Sequence, residues 1–193
     1  MAAPGDLLLI TRPSAPTLEE LVAAVDPLDL RTRLGSTLVP TPNLHQSLSE
    51  IYPPDMRQQL LEASSSIRAH AFVMHIDRIR SSGTLPGSIH WELFPSAGKP
   101  EGLSQLLEAR EATFQAYGIR DTLGHSAHLT TSYFAREMLG APMRFAPVPW
   151  VIDAIELVKV CGSGRNYRYE TIAKWSLLPM LYTAPAQLSL IAP

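Results

Sequence analysis

The stretch Gly124-His125-Ser126-Ala127-His128-Leu129-Thr130-Thr131-Ser132-Tyr133-Phe134 decides how this chain is read. It has a counterpart at Asn43-Leu44-His45-Gln46-Ser47-Leu48. Each contains a histidine, any residue, then a hydroxyl residue, inside an apolar-flanked run that reads as a strand. Side chains at i and i+2 of a strand share a face, so His45 sides with Ser47 and His128 with Thr130. Set side by side, the two strands would bring two imidazoles and two hydroxyls to one spot. That set suits a phosphate ester: one imidazole takes a proton, the other gives one, and the hydroxyls bind the phosphoryl oxygens. Such chemistry needs neither metal nor cofactor.

Around these strands the chain divides into short elements. Leu7–Thr11 is an apolar run that reads as a buried strand. Thr17-Leu18-Glu19-Glu20 has the form of a capping box, with Thr17 as N-cap, and opens a helix that Pro27 stops. Arg31 and Arg33 fall in a loop before a weak strand at Ser36–Val39. The first motif strand spans Leu44–Tyr52, and Pro53-Pro54-Asp55 starts a helix with Met56, Leu60, Ala63 and Ile67 as its stripe. Ala69–Ile79 and Ser88–Phe94 read as strands. Pro100 and Gly118 bracket a helix. The second motif strand spans Ala127–Phe134, and Glu137–Pro149 is a Pro-rich connection. Trp150–Val160 and Tyr167–Leu178 form a hairpin, and an irregular tail covers residues 179–193. Strands in runs, without strict βαβ alternation, argue for an α+β fold with mainly antiparallel sheets in a single domain over residues 1–193.

Composition narrows the function classes. A formal net charge of −2 excludes a surface that attracts nucleic acid as a whole, but leaves a short or terminal phosphate ester as ligand. Of 16 basic residues only Lys99, Lys159 and Lys174 are lysines; arginine is the better bidentate phosphate binder. One cysteine, Cys161, excludes an intramolecular disulfide framework and fits a reducing cytoplasm. The run Leu7-Leu8-Leu9-Ile10 is too short for a signal-peptide core and lacks a basic start, and no segment reads as a membrane span. The expectation is a cytoplasmic, monomeric protein with no membrane partner.

Both motifs together, 83 residues apart, resemble the 2H phosphoesterase superfamily in its bacterial 2′-5′ RNA ligase or RNA 2′,3′-cyclic phosphodiesterase branch. Leu7–Thr11, the Pro-rich approach to His45 and the closing Tyr169-x-x-Ile172-x-x-Trp175-x-Leu177 pattern extend the resemblance over roughly residues 7–178. It implies a bilobal, pseudo-twofold fold: two small sheets with outer helices around a central cleft, one motif in each lobe. It also implies that His128 deprotonates water and His45 protonates the leaving ribose oxygen of an RNA-end or nucleotide 2′,3′-cyclic phosphate. Ser47 and Thr130 would then hold the non-bridging oxygens. Residues alone leave the acid and base interchangeable. By microscopic reversibility the same site joins such ends.

The chain departs from that family at three places. Tyr133 stands where many relatives carry an arginine, Glu50-Ile51-Tyr52 replaces a common Phe-x-Gly, and polar Thr131 follows Thr130. Tyr133 therefore enters the substrate-binding set with Ser47 and Thr130, while Arg31, Arg33 and Arg136 are cations near the motifs in sequence. His125 falls on the opposite strand face from His128, and Trp91 alternates with Ile89 and Leu93 as core. His70 and His75 read as structural. Two other functions compete with the cyclic phosphodiesterase. One is a 2H enzyme for a small cyclic nucleotide or other phosphodiester, and the other is a non-catalytic module that binds RNA ends.

Overall fold

Leu7–Thr11 forms strand β1, and every residue of it is buried. Its alternation serves two cores. Leu7 and Leu9 join the main cluster, which includes Trp91, Trp150, Leu106 and Phe114. Leu8 and Ile10 point the other way, onto Val158 and Val160, and Tyr167 and Tyr169 close over them. A strand buried on both faces needs an unbroken apolar run, which is what the sequence supplies. The computed structural model describes residues 3–85, 87–121, 124–163 and 166–181.

The elements follow in order as α1 (Ala15–Val25), α2 (Leu30–Leu34), β2 (Gln46–Ser47), α3 (Arg57–Ser66), β3 (Phe72–Ser82) and β4 (Ile89–Phe94). Then come α4 (Glu101–Ala116), β5 (Leu129–Ala135), β6 (Met143–Ile152), β7 (Ala154–Cys161) and β8 (Arg168–Ser176). Two antiparallel four-stranded sheets result, ordered β2-β1-β7-β8 and β5-β4-β3-β6. The fold is α+β and bilobal. Its pseudo-twofold relation is visible in the pairings: β1 and β4 each lead through helical segments to a motif strand that returns as the outer strand beside them. Thr11 lies opposite Gln46, and Leu93 opposite Leu129. On the far side of the second sheet, α4 lies so close to β3 that a Cβ on Gly102 would come within 2.3 Å of the Phe72 ring.

Several elements differ from the sequence reading. The first motif strand is two residues long, not Leu44–Tyr52. The Ser49 hydroxyl takes the Leu9 amide hydrogen (2.8 Å) that a backbone carbonyl would otherwise accept. Pairing resumes at the isolated Leu7–Tyr52 bridge. Helix α1 is capped by Ser14, not Thr17: Ser14 Oγ accepts from the Thr17 amide at 3.4 Å, and Pro16 sits in the first turn, where its missing N–H costs nothing. Arg31 and Arg33 lie in α2, which buries Leu30 and Leu34 one turn apart. The weak strand expected at Ser36–Val39 is a 3₁₀ turn, Gly35–Thr37, after which the Val39 amide donates to the Thr131 carbonyl of β5 (2.8 Å).

The supposed connection Glu137–Pro149 is mostly strand. β6 tolerates Pro147 and Pro149 because it is the outer strand of its sheet. The expected strand Trp150–Val160 is divided at Asp153: β6 ends at Ile152 in one sheet and β7 begins at Ala154 in the other. Trp91, Ile89 and Leu93 are buried as expected. No helix among the described residues is long and apolar enough to cross a membrane. Most of the expected tail, residues 182–193, lies outside the described residues.

Candidate active site

Both motifs sit at corresponding places, each histidine immediately before an outer strand. The His45 Nδ1 lies 2.7 Å from the carbonyl of Asn43. The His128 Nδ1 lies 3.0 Å from the carbonyl of Ser126, with Ser126 Oγ also at 3.0 Å. A carbonyl only accepts, so in each case Nδ1 carries the hydrogen and donates it to the residue two positions earlier. Each imidazole is thereby left with Nε2 as its basic nitrogen.

The surroundings of the two rings differ. His45 is only 8% exposed, and His128 is half-buried. Burial drives the His45 pKa down to about 4; the Asn43 carbonyl opposes the shift, while the charges of His128 and Arg12 add to it. His128 is thus close enough for its charge to act on His45. Tyr169 meets the His45 ring edge-on at 4.8 Å, and the Tyr167 hydroxyl donates to the Tyr169 hydroxyl at 2.7 Å. Asn43 Nδ2 donates to the Tyr167 carbonyl (2.8 Å), which ties the turn before the first motif to the β7–β8 hairpin.

From the second sheet, the Tyr133 hydroxyl lies within electrostatic reach of the Thr130 side chain, and its ring packs edge-on against His90 at 5.5 Å. Burial raises the pKa values of Tyr133, Tyr167 and Tyr169 alike, so all three are neutral phenols. Tyr133 and Tyr169 also interact electrostatically, which brings the two lobes' tyrosines into one neighbourhood with His45 and Thr130. Ser47 is half-buried on β2, opposite Ile10.

Arg31, Arg33 and Arg136 do not supply charge to His45. Arg33 stacks 4.6 Å over Trp91 and pairs with Glu137 at 2.9 Å; Arg31 and Arg136 are exposed. Arg12 does reach His45 electrostatically. It follows directly on β1 and is held by Glu156 and Thr171. Burial pushes the Glu156 carboxyl up, but the bonds from Arg12 and Thr171 outweigh it and hold the group ionised. Register placed Arg12 here, and no sequence signal carried that. Tyr167 and Tyr169 did leave one: two phenols at i and i+2 on a strand share a face.

His125 is buried and lies before β5, which begins at Leu129, so strand parity does not apply to it, and the charge of His128 still reaches it. It lies 4.0 Å from Asp121, which pairs with Arg110 at 2.7 Å. Burial first, then Arg110, lowers its pKa to about 4. Asp121 Oδ2 accepts from the Glu50 amide (3.0 Å) and the Tyr52 hydroxyl (2.8 Å). This buried carboxylate therefore joins the segment after the first motif to the approach to the second. His70 Nδ1 bonds the Pro179 carbonyl at 2.7 Å, and His75 is exposed. Among the described residues no group of three or more His, Cys, Asp or Glu is placed to hold a metal.

No protein-family model matches the sequence, and no curated protein matches it. Solved structures match the fold. Escherichia coli LigT in apo form aligns with a TM-score of 0.69 at 18% identity, covering 92% of this chain and 99% of its own. A structure described as a phosphoesterase aligns with a TM-score of 0.70 at 18% identity, over 91% and 99%. The protein TT0787 of Thermus thermophilus aligns with a TM-score of 0.62 at 19% identity, over 89% and 97%. The chain therefore has the two-lobed LigT-like fold along nearly its whole length.

Proposed function

We propose that this protein is a metal-independent phosphodiesterase of the 2H phosphoesterase kind, opening 2′,3′-cyclic phosphates at RNA or nucleotide ends. The observation that carries the reading is the repeated imidazole arrangement. Two histidines, each with Nδ1–H tied to the carbonyl two residues back, offer two Nε2 atoms from neighbouring outer strands of two sheets. General acid–base chemistry on a phosphodiester needs one proton acceptor and one donor, and this pair supplies both.

At neutral pH the buried His45 is uncharged, with its one hydrogen on Nδ1 and Nε2 open, which is the form a base requires. His45 takes a proton from water as the water oxygen attacks phosphorus. The bond from phosphorus to one ribose oxygen breaks, and His128, entering as the imidazolium with hydrogens on both nitrogens, gives that oxygen its Nε2 proton. The product is a phosphomonoester and a free ribose hydroxyl. This reverses the assignment that the family resemblance implies, and the reason is the burial of His45. Ser47 and Thr130 donate to the non-bridging oxygens as charge builds. Tyr167 and Tyr169 line the His45 side with neutral hydroxyls.

Escherichia coli LigT with this fold has been solved in complex with 3′-AMP, which supports a nucleotide as ligand here. A second reading, a small cyclic nucleotide as substrate, is favoured by a phenol at position 133 and by the pairing of Arg12 with Glu156. Rates on a mononucleotide 2′,3′-cyclic phosphate and on an oligonucleotide bearing the same end, each with and without EDTA, decide among the readings. Turnover that resists EDTA supports the phosphodiesterase. Loss restored by a divalent ion overturns the mechanism. Binding of both ligands without turnover makes the protein an end-binding module.

A further inference from the structure

Gln46 occupies the middle of the first motif, and its side chain has 0% exposure. Its strand neighbours His45 and Ser47 share the other face, so Gln46 does not meet a substrate bound by them. Its carboxamide instead spans to the second motif. Oε1 accepts from the His128 backbone N–H at 2.8 Å. Nε2 donates to the Ser126 carbonyl at 3.0 Å and to the Ser47 carbonyl at 2.8 Å. The partners dictate the orientation of the amide: one backbone N–H needs an acceptor and two carbonyls need donors.

The Ser126 carbonyl is also the acceptor of the His128 Nδ1–H bond. Gln46 therefore grips the backbone on both sides of Ala127: the carbonyl that fixes the His128 ring and the amide of His128 itself. We propose that Gln46 is a positioning residue for the reaction. Reaching from the first sheet to the second, it fixes the tautomer and the aim of His128. Packing alone would not call for it, because a buried carboxamide loses water hydrogen bonds that an apolar side chain of equal length never had. The benefit lies in register: the two motifs belong to different sheets, and a 1 Å misplacement of a catalytic group costs on the order of 10²-fold in rate.

The kinetic half of this inference rests on the phosphodiesterase reading; the tautomer half does not. Long-range ¹H–¹⁵N correlation of the histidine rings above their titration range, with His128 assigned by loss of its signals in His128→Gln, reads the tautomer directly. The wild-type protein is expected to show His128 protonated at Nδ1. Gln46→Met, similar in length and without hydrogen-bonding groups, is expected to fold, to show mixed His128 tautomers, and to lower kcat by about 10²-fold. KM should stay within about threefold, because the defect acts on the chemical step. Should Gln46→Met not fold, Gln46→Glu keeps the acceptor for the His128 amide and puts an acceptor where Nε2 donated to the Ser126 and Ser47 carbonyls, and the same mixing is expected. A wild-type His128 protonated at Nε2 overturns the proposal. So does a folded variant with wild-type tautomer and kcat. If the wild-type protein shows no turnover, the phosphodiesterase reading fails, and the tautomer comparison still decides the role of Gln46.

Discussion

His45 and His128 make the same bond, Nδ1–H to the carbonyl two residues earlier, and differ in almost everything around it. The shared bond comes from backbone shape, which the two halves of the fold repeat. The differences come from side chains, which they do not. The β7–β8 hairpin lays Tyr169 against His45, and Arg12 adds its charge, so one ring is dry and proton-poor. The other is half-buried beside Ser126. A symmetric frame thus sets which nitrogen of each ring holds the hydrogen, and an asymmetric lining sets which ring is the more buried.

Deleting either ring should break the pair most severely. His45→Ala and His128→Ala are each expected to lower the rate by about 10²–10⁴-fold, with the double variant losing much less than the product of the two. A folded His128→Ala protein with wild-type turnover on a 2′,3′-cyclic nucleotide would remove the pair from the chemistry.

Next comes the tie that holds the halves in register. Asp121→Ala leaves the Arg110 charge buried and removes one acceptor from the Glu50 amide and from the Tyr52 hydroxyl. A loss of about 3–5 kcal/mol is expected by chemical denaturation, as for other broken buried ion pairs. A loss below about 1 kcal/mol, the usual worth of an exposed pair, would mean that water reaches this site freely.

Acid sharpens the contrast between the rings. Between pH 6.5 and about 4 the unfolded chain binds protons that folded His45 and His125 refuse. Their contribution to stability is complete above 6.5 and is lost as pH falls toward 4. For His45 this amounts to about 3 kcal/mol, so the melting temperature of His45→Gln should fall less on acidification than that of the wild type. The same lowered pKa places the acid limb of kcat/KM near 4, well below the 6.5 of a free imidazole, because a base works only without its proton. A rate that instead declines as pH rises above 4 would make His45 the acid.

The smallest expected effects concern the hydroxyls. Ser47→Ala and Thr130→Ala each remove one hydrogen bond to a charged oxygen, worth about 1.5–3 kcal/mol, or roughly 10–150-fold in rate. Wild-type rates in both would show that the backbone or the tyrosines bind those oxygens.

Both motifs, the buried opening strand and the helix after Pro100 were legible because each is a local pattern of spacing. What was not legible depends on what lies beside a residue in space. Arg12 acts on His45 only because Thr11 pairs with Gln46. Ser49 interrupts the motif strand because its hydroxyl happens to face the Leu9 amide. Pro147 and Pro149 read as a break, yet an outer strand accommodates them. The alternation through Asp153 is continuous in sequence, although the chain changes sheets there. Gln46 looked like a spacer between two functional residues, since nothing local shows where a buried amide finds its partners.

That change of sheets at Asp153 also orders events in time. The second sheet draws on one continuous stretch, from Phe72 to Ile152. The first must bring Leu7 to Lys159, almost the full length of the chain. Closing so long a loop is slow, and on the ribosome β1 has no β7 to pair with until Cys161 is made. We expect the His128 half to be assembled while the His45 half still waits. In pulse-labelling hydrogen exchange during refolding, the amides of β3 and β4 should gain protection before those of β1, and simultaneous protection would contradict this order.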